Sequence, residues 1–483
     1  MSGPRERPTP YRWRMRARVG GWSAVVAGTL LLACASQAVA AAAPTLPSGR
    51  TAYRTLADYT RDMDRLVARY PDTVRRISLR QPSVEGRPIR GVEIAASVAA
   101  PDDGRPTFLL TGLTHAREWS SGEIAMEWAL DLARSNGRDA RVTKLLRSIR
   151  IVVVPVVNPD GFVTSRSAPV GTDARLHRTN CEPADAAERL RSCAGRSGVD
   201  LNRNHGFAWG GVGSSMDPGD EQYRGAAPWS EPESSGIHEL AAGRQVTGAV
   251  SLHNFGGAVL RQPGFRAFGA LPDEARQAAL GAKMAAAAGY TSAPADQLYD
   301  STGAQEDWSY VNQDALAYTI EVGGSSFQGP YRTDVVEQYR GRPRTSSAGR
   351  GLREALLLAA SGAAKASGHA ILTGVAAGVR LLTLTRTFTT STSPVCAVDL
   401  TARTCPSGLA PMGIGDAITT HLLVPVGGTF RWGVTPSTGP QDERAGRTTA
   451  WTLRCEAPEG YLLGEQQITV KRGQVRTVKR ACG

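Results

Sequence analysis

Apolar positions recur at helical spacing over 56–69, where Leu56, Tyr59, Met63, Leu66 and Val67 share one face, and this predicts an amphipathic helix. The period then shortens. Thr107–Thr111 is a short apolar run, Ile151–Val157 is a continuous β-branched run, and Gly248–Leu252 and Ala317–Val322 repeat the pattern. Runs of this kind suit strands buried on both faces. Between them, Ile124–Ala133 reads as a helix, and Asn158-Pro-Asp-Gly161 reads as a turn. Strands separated by helices predict an α/β layer fold, a mixed central sheet flanked by helices, over residues 41–360. Residues 361–367 are small and read as a linker. From residue 368 to 483 the pattern is period-two, rich in Val, Leu and Thr and often broken by turn residues, which predicts a small all-β sandwich.

The N-terminus changes the picture. Arg5 to Arg18 is basic, Gly21 to Leu32 is apolar but short for a membrane span, and Ala38-Val39-Ala40 is a small-x-small cleavage pattern. Residues 1–40 therefore read as an export signal, and the mature protein as secreted and without a transmembrane span. An alternative places a lipid anchor on Cys34, in Leu31-Leu32-Ala33-Cys34. Six cysteines remain beyond the signal, an even number that fits disulfides in an exported chain. Nearest-neighbour pairing joins Cys181 to Cys193, Cys396 to Cys405 and Cys455 to Cys482. A zinc–thiolate site is the weaker reading, because no Cys-x-x-Cys spacing occurs.

The formal net charge of +12 sits at the two ends. Residues 1–40 carry six Arg against one Glu, and residues 361–483 carry thirteen Lys and Arg against seven Asp and Glu. No basic run is interleaved with aromatics, which argues against a nucleic-acid partner. A basic C-terminal domain suggests loose association with anionic cell-surface polymer.

Candidate chemistry begins at His115-Ala-Arg-Glu118, just past the strand ending at Thr111. A histidine and a carboxylate three residues apart, entering a helix, can point at one metal ion. A catalytic zinc site needs a third ligand and one open position. His253, after Val250-Ser-Leu252, fits that third place.

In order along the chain, Ser83-Val-Glu-Gly-Arg-Pro-Ile89, His115-Ala-Arg-Glu-Trp119, Asn158-Pro-Asp-Gly-Phe162, Arg175-Leu-His-Arg178, Val199-Asp-Leu-Asn-Arg-Asn204, Ser251-Leu-His253, Leu298-Tyr-Asp-Ser-Thr-Gly303 with Glu306-Asp-Trp-Ser-Tyr310, and Tyr318-Thr-Ile-Glu-Val322 resemble the motifs of zinc carboxypeptidases of the A and T type. The resemblance covers roughly 53–360 and implies the metallocarboxypeptidase fold. It also implies one Zn²⁺ per catalytic domain, held by His115, Glu118 and His253, and peptide or protein substrates. Glu321 is implied as the general base, with Arg178, helped by Arg117, stabilising the oxyanion. Asn202 and Arg203 are implied to hold the substrate carboxylate, Tyr299 to close over the substrate and Asp200 to orient a zinc-bound histidine. Glu306 falls at the position of the pocket floor and implies a preference for C-terminal Lys or Arg. His177 and Phe255 depart from the pattern, standing where many relatives have tryptophan and tyrosine. Few residues separate Ala40 from the first helix, so no folded inhibitory segment is expected. The C-terminal sandwich is expected to carry no catalytic residue and to be dispensable for cleavage of small peptides. His205, His238, His369 and His421 show no partner pattern. Two alternatives remain: a peptidase of γ-D-glutamyl-diaminopimelate bonds in cell-wall peptides, and a catalytically idle peptide-binding protein.

Overall fold

The computed structural model describes residues 45–100, 102–183, 193, 198–341, 350–396, 399–400, 402, 408–444 and 446–478. The expected signal at 1–40, with Cys34, lies outside them.

The first amphipathic pattern forms α1 (Leu56–Arg69), with Tyr59, Met63 and Leu66 buried. A capping box starts it: Asp58 N donates to Thr55 Oγ1, and Thr55 N donates to Asp58 Oδ2. Eight strands follow: β1 (Val74–Ser78), β2 (Arg90–Ile94), β3 (Thr107–Thr111), β4 (Arg150–Val154), β5 (Val246–Asn254), β6 (Ala258–Arg261), β7 (Thr291–Pro294) and β8 (Leu316–Val322). They form one sheet in the order β1-β2-β4-β3-β5-β8-β6-β7. Its centre, β4-β3-β5-β8, is parallel, and antiparallel pairs flank it.

The continuous apolar runs have a plain cause. Alternate residues of β3 and β4 enter two different hydrophobic clusters, Phe108, Leu110, Ile151 and Val153 on one face, Leu109, Val152 and Val154 on the other. The first face packs on α1, α2 (Trp119–Ser135), α3 (Ala140–Ser148), α6 (Glu274–Ala288) and α9 (Gly351–Ala363). The second packs on α5 (Pro232–Ala242) and α7 (Gln305–Gln313). Two short helices, α4 (Pro159–Ser167) and α8 (Glu337–Arg340), complete this part.

Two expectations change here. Asn158-Pro-Asp-Gly161 is not a free turn but the start of α4. Asn158 Oδ1 accepts from Gly161 N at 2.9 Å, and Pro159 takes the first helical position, where its missing N–H costs nothing. The helix expected over 124–133 starts at Trp119, directly after Glu118.

The C-terminal region is a sandwich, as its period-two pattern implies. One sheet has the order β11-β10-β13-β14, the other β12-β9-β15. Its strands are β9 (Ala370–Val375), β10 (Leu381–Val395), β11 (Ala410–Leu423), β12 (Thr429–Val434), β13 (Trp451–Glu456), β14 (Leu462–Ile468) and β15 (Val475–Val478). All pairs are antiparallel except β9 with β15. The expected linker is no extended tether: α9 runs through Ala363, and a helical turn at Ala366–Gly368 leads into β9. Leu372, Leu382, Leu384, Ile418 and Trp451 of the sandwich belong to the same hydrophobic cluster as Leu109, Val152 and Trp308 of the part built on the eight-stranded sheet. Cys181 and Cys193 form a disulfide. Cys396 and Cys455 are also disulfide-bonded, and their expected partners, Cys405 and Cys482, lie outside the described residues. No helix among the described residues is long and apolar enough to cross a membrane.

Candidate metal and catalytic site

The carboxyl ends of the parallel strands gather the chemistry, the usual place for a site in such a sheet. His115 and Glu118 sit between β3 and α2, His253 lies near the end of β5, and Glu321 lies near the end of β8. His253 and Glu321 are register partners across β5 and β8. Residues paired in register project to the same face, so the sheet itself sets their separation.

The ligand atoms of His115, Glu118 and His253 all lie within 4.8 Å of one another. His115 Nδ1 is 2.9 Å from Glu118 Oε1, and His253 Nδ1 is 3.1 Å from Glu118 Oε2. The two Nδ1 atoms are 3.0 Å apart. Two imidazole nitrogens this close, beside a carboxylate, are kept from lone-pair repulsion by a proton or a metal ion between them. Burial works against a charged imidazole at His253, yet the Glu118 carboxylate raises it to about 9. For Glu118, burial works against the charge, but His115 and His253 hold the carboxyl well below its ordinary range. This donor set fits a zinc ion with one position left open. The other ring nitrogens are engaged: His115 Nε2 lies 3.0 Å from Asp200 Oδ1, and His253 Nε2 lies 2.9 Å from Ser251 Oγ. Fixing that second nitrogen sets which one faces the metal.

Asp200 also holds Arg178. Arg178 Nε and Nη2 both donate to Asp200 Oδ2, at 3.0 and 2.7 Å, which leaves Nη1 3.2 Å from His115 Nδ1. Burial opposes the charge on Asp200, but Arg178 and His115 drive its carboxyl far below the ordinary range.

A cavity of about 310 Å³ opens beside these groups and is lined by Asn202, Arg203, Tyr299, Thr319, Glu321 and others. Arg203 is 1% exposed. Its Nε donates to Gly213 O at 2.7 Å and its Nη1 to Asn202 O at 2.8 Å, but Nη2 is buried without a partner. Asn202 Oδ1 accepts from Gln305 N. The Tyr299 ring is half exposed, 5.8 Å from the Arg203 guanidinium carbon. Burial, with Glu118 and Glu306 nearby, raises Glu321 to about 7 against the lowering effects of His253 and Arg178.

Two sequence-predicted residues sit elsewhere. Arg117 does not join the oxyanion side. Its two terminal nitrogens donate to Glu221 at 2.9 and 3.0 Å, and its guanidinium lies 4.4 Å from the centre of the Phe327 ring. Glu306 is not in the cavity wall. It is fully buried, and Thr319, which does line the cavity, donates to its Oε1 at 3.0 Å. Sequence reasoning passed over Thr319, although its place two residues before Glu321 on a strand puts both on one face. It also passed over His238, which lies 3.1 Å from Asp416 of β11 and stacks on Trp229. Phe255, where a tyrosine hydroxyl was expected to be missing, packs edge-on against Phe327.

A profile of the zinc carboxypeptidase family matches residues 59–333, more than half of the chain. The chain belongs to the zinc carboxypeptidase family. Carboxypeptidase A2 of Rattus norvegicus is 29% identical over 285 residues, covering 58% of this chain and 64% of that protein. Metallocarboxypeptidase A of Trichophyton rubrum is 30% identical over 244 residues, covering 50% and 54%. This member of the family thus spans less than two thirds of the length of either relative. Among solved structures, carboxypeptidase A of Helicoverpa armigera aligns at a TM-score of 0.53 and 24% identity, over 65% of this chain and 74% of that one. Thrombin activatable fibrinolysis inhibitor aligns at 0.55 and 21%, over 66% and 76%. Both place the catalytic part in the carboxypeptidase fold.

Proposed function

We propose that the chain is an exported zinc metallocarboxypeptidase that hydrolyses the last peptide bond of a peptide. The observation that carries this reading is one cavity that joins the His115–Glu118–His253 cluster, the Glu321 carboxylate and the unpaired Nη2 of Arg203. Zinc held by the cluster would polarise the scissile carbonyl and acidify a bound water.

The other work falls to the chain. Arg203, held through Nε and Nη1 with Nη2 unpaired, and Asn202 take the substrate's terminal carboxylate, and binding that group sets the last peptide bond beside the cluster. Glu321 accepts a proton from the attacking water and returns it to the leaving nitrogen. Arg178, anchored on Asp200, offers Nη1 to the oxygen on which charge develops. Tyr299, half exposed at the mouth, can swing over the bound residue. The Cys181–Cys193 disulfide supports the exported half of this reading. To test it, chelation should abolish cleavage of a peptide with a free C-terminus, and Zn²⁺ should restore it. The same peptide with an amidated end should resist. Full turnover by metal-free protein, or equal turnover of the amide, would refute the reading.

We further infer a preference for C-terminal Lys or Arg. Glu306 Oε2 is buried without a partner, and the other oxygen of the same carboxylate accepts from Thr319 of the cavity wall. An unpaired buried carboxylate is costly, and a cationic side chain reaching past Thr319 would relieve that cost. Removing one partner of such a pair costs about 2–5 kcal/mol, so even the lower end exceeds tenfold in kcat/KM. The measurement is kcat/KM for matched peptides ending in Arg, Lys, Leu and Phe, in wild type and Glu306→Ile. Equal or better turnover of the Leu and Phe peptides by wild type sinks the preference.

A further inference from the structure

A second cavity, of about 500 Å³, lies between the last turns of α1 and α2 and the segment over 47–50. Its wall carries five arginines: Arg50, Arg65, Arg69, Arg134 and Arg138. The acids near it are already engaged. Asp62, the carboxylate of the wall, accepts from Arg50 Nε at 3.0 Å and Arg54 Nε at 2.9 Å. Asp58 bonds Arg50 and Arg61, and Asp131 bonds Tyr339 and Arg353. Arg65, Arg134 and Arg138 have no side-chain partner among the described residues, and Arg69 meets there only the neutral Tyr70, through its hydroxyl and its ring. Arg65 and Arg69 are four apart on one helix, where like charges repel. Leu66 and Leu130 give the cavity an apolar floor. A concave space of this volume, with convergent unspent donors, has the form of a ligand site.

We propose that this cavity binds a multivalent tetrahedral oxyanion, a ligand with two or more adjacent phosphate or sulfate groups. Four guanidiniums around one cavity, none neutralised by an acid among the described residues, call for several negative charges in a small volume. Adjacent phosphates or sulfates supply that density. An acidic peptide spreads its charges along about 3.3 Å of chain per residue. Guanidinium forks match the oxygens of either group in paired hydrogen bonds.

The site is separate from the proposed catalytic centre. Glu118 immediately precedes α2, and Arg134 lies sixteen residues further along it, a rise of about 24 Å. A polyanion held there would tether the enzyme without filling the substrate cavity, and would assign the anion-binding role to the catalytic part, not to the sandwich.

The test is calorimetric titration of the full exported chain with tripolyphosphate at low ionic strength. Two double variants, Arg65→Gln/Arg69→Gln and Arg134→Gln/Arg138→Gln, change only exposed side chains, and an unaltered melting temperature shows that they fold. Arg147→Gln, on an exposed turn of α3 outside the cavity, is the control. The expected result is one saturable site per chain, weakened at least tenfold in each double variant and unchanged in the control. A smaller loss in either double variant, no saturable binding by wild type, or equal binding of tetraglutamate overturns the proposal. A sulfated disaccharide run beside tripolyphosphate identifies the source: whichever binds tighter names the polymer class, and both results require the same arginines.

Discussion

The carboxyl edge of the central sheet and the C-terminal sandwich are organised in opposite ways. At the edge, polar side chains tie one another toward a common centre: Asp200 grips both His115 and Arg178, and β5 and β8 set His253 beside Glu321. In the sandwich, the polar groups that matter face the catalytic part. Asp416 accepts from Trp308 Nε1 at 2.9 Å and Thr390 Oγ1 at 2.7 Å, and lies 3.1 Å from His238 Nε2. Arg386, fully buried, donates to Asn312 O at the end of α7 and to Pro436 O. Ala208 N donates to Ser391 O at 2.8 Å, and Ser393 N to Trp209 O at 3.0 Å, so β10 grips the loop that follows Arg203. The sandwich therefore holds the two segments, 202–213 and α7, that carry Asn202 and Arg203, the proposed carboxylate-binding pair, and Glu306. Chemistry can be concentrated in one region while the geometry that supports it is supplied by another.

The largest effect should come from breaking the two regions apart. A chain ended after Ala363 would bare Trp308 and its neighbours in the shared cluster, and strand the hydrogen bonds at Asp416 and Arg386. We expect that chain to lose cooperative unfolding, in contrast to the dispensable module that the sequence suggests. Thermal melts of the truncated and full chains check this; a sharp, near-normal transition with intact turnover would restore the separable reading.

Next in size is a change confined to the edge. Glu321→Gln keeps the shape of the side chain and removes the proton acceptor. The kcat should fall by about two to four orders of magnitude while bound zinc and the melting temperature hold. Single-turnover rates with metal content measured in the same sample decide it. A near-normal kcat would show that another group moves the proton.

The site was legible because its residues sit at the ends of strongly apolar strands and in motifs of fixed local spacing, such as His115 to Glu118. Period-two patterning also fixed the sandwich as all-β. What was not legible depends on contacts between distant segments. His238 has no motif, because its partner Asp416 lies far along the chain, in the C-terminal sandwich. Glu306 aligns with a pocket floor, but only the fold reveals that Thr319 stands in front of it. Arg117 sits two residues after His115, a proposed zinc ligand, yet Glu221, on a remote loop, holds its charge. The period-two pattern could predict the sandwich but not which of its faces covers the catalytic sheet.

The smallest effect, and the sharpest probe of how the sandwich acts, is Asp416→Ala. It leaves the buried Trp308 N–H without its acceptor, a cost of about 1–3 kcal/mol. Trp308 follows Glu306 and Asp307 on α7, so the loss should loosen the pocket wall, not the metal cluster. We expect KM to rise by no more than about tenfold, or 1.4 kcal/mol, with kcat nearly unchanged. A pH series gives a second reading that a mere packing defect would not give. Burial opposes the charge on Asp416, but His238, Thr390 and Trp308 together hold its carboxyl below the ordinary range. With the folded value depressed, the unfolded chain binds the extra proton, so stability from this group is complete above the unfolded value of about 4. It is lost as pH falls through the lower folded value. Removing the carboxyl removes that loss: melting temperature plotted against pH below about 4 should fall less steeply in Asp416→Ala than in wild type. Parallel slopes would mean that Asp416 supports the interface by shape alone, and an unchanged KM would mean that α7 holds the pocket wall without help from the sandwich.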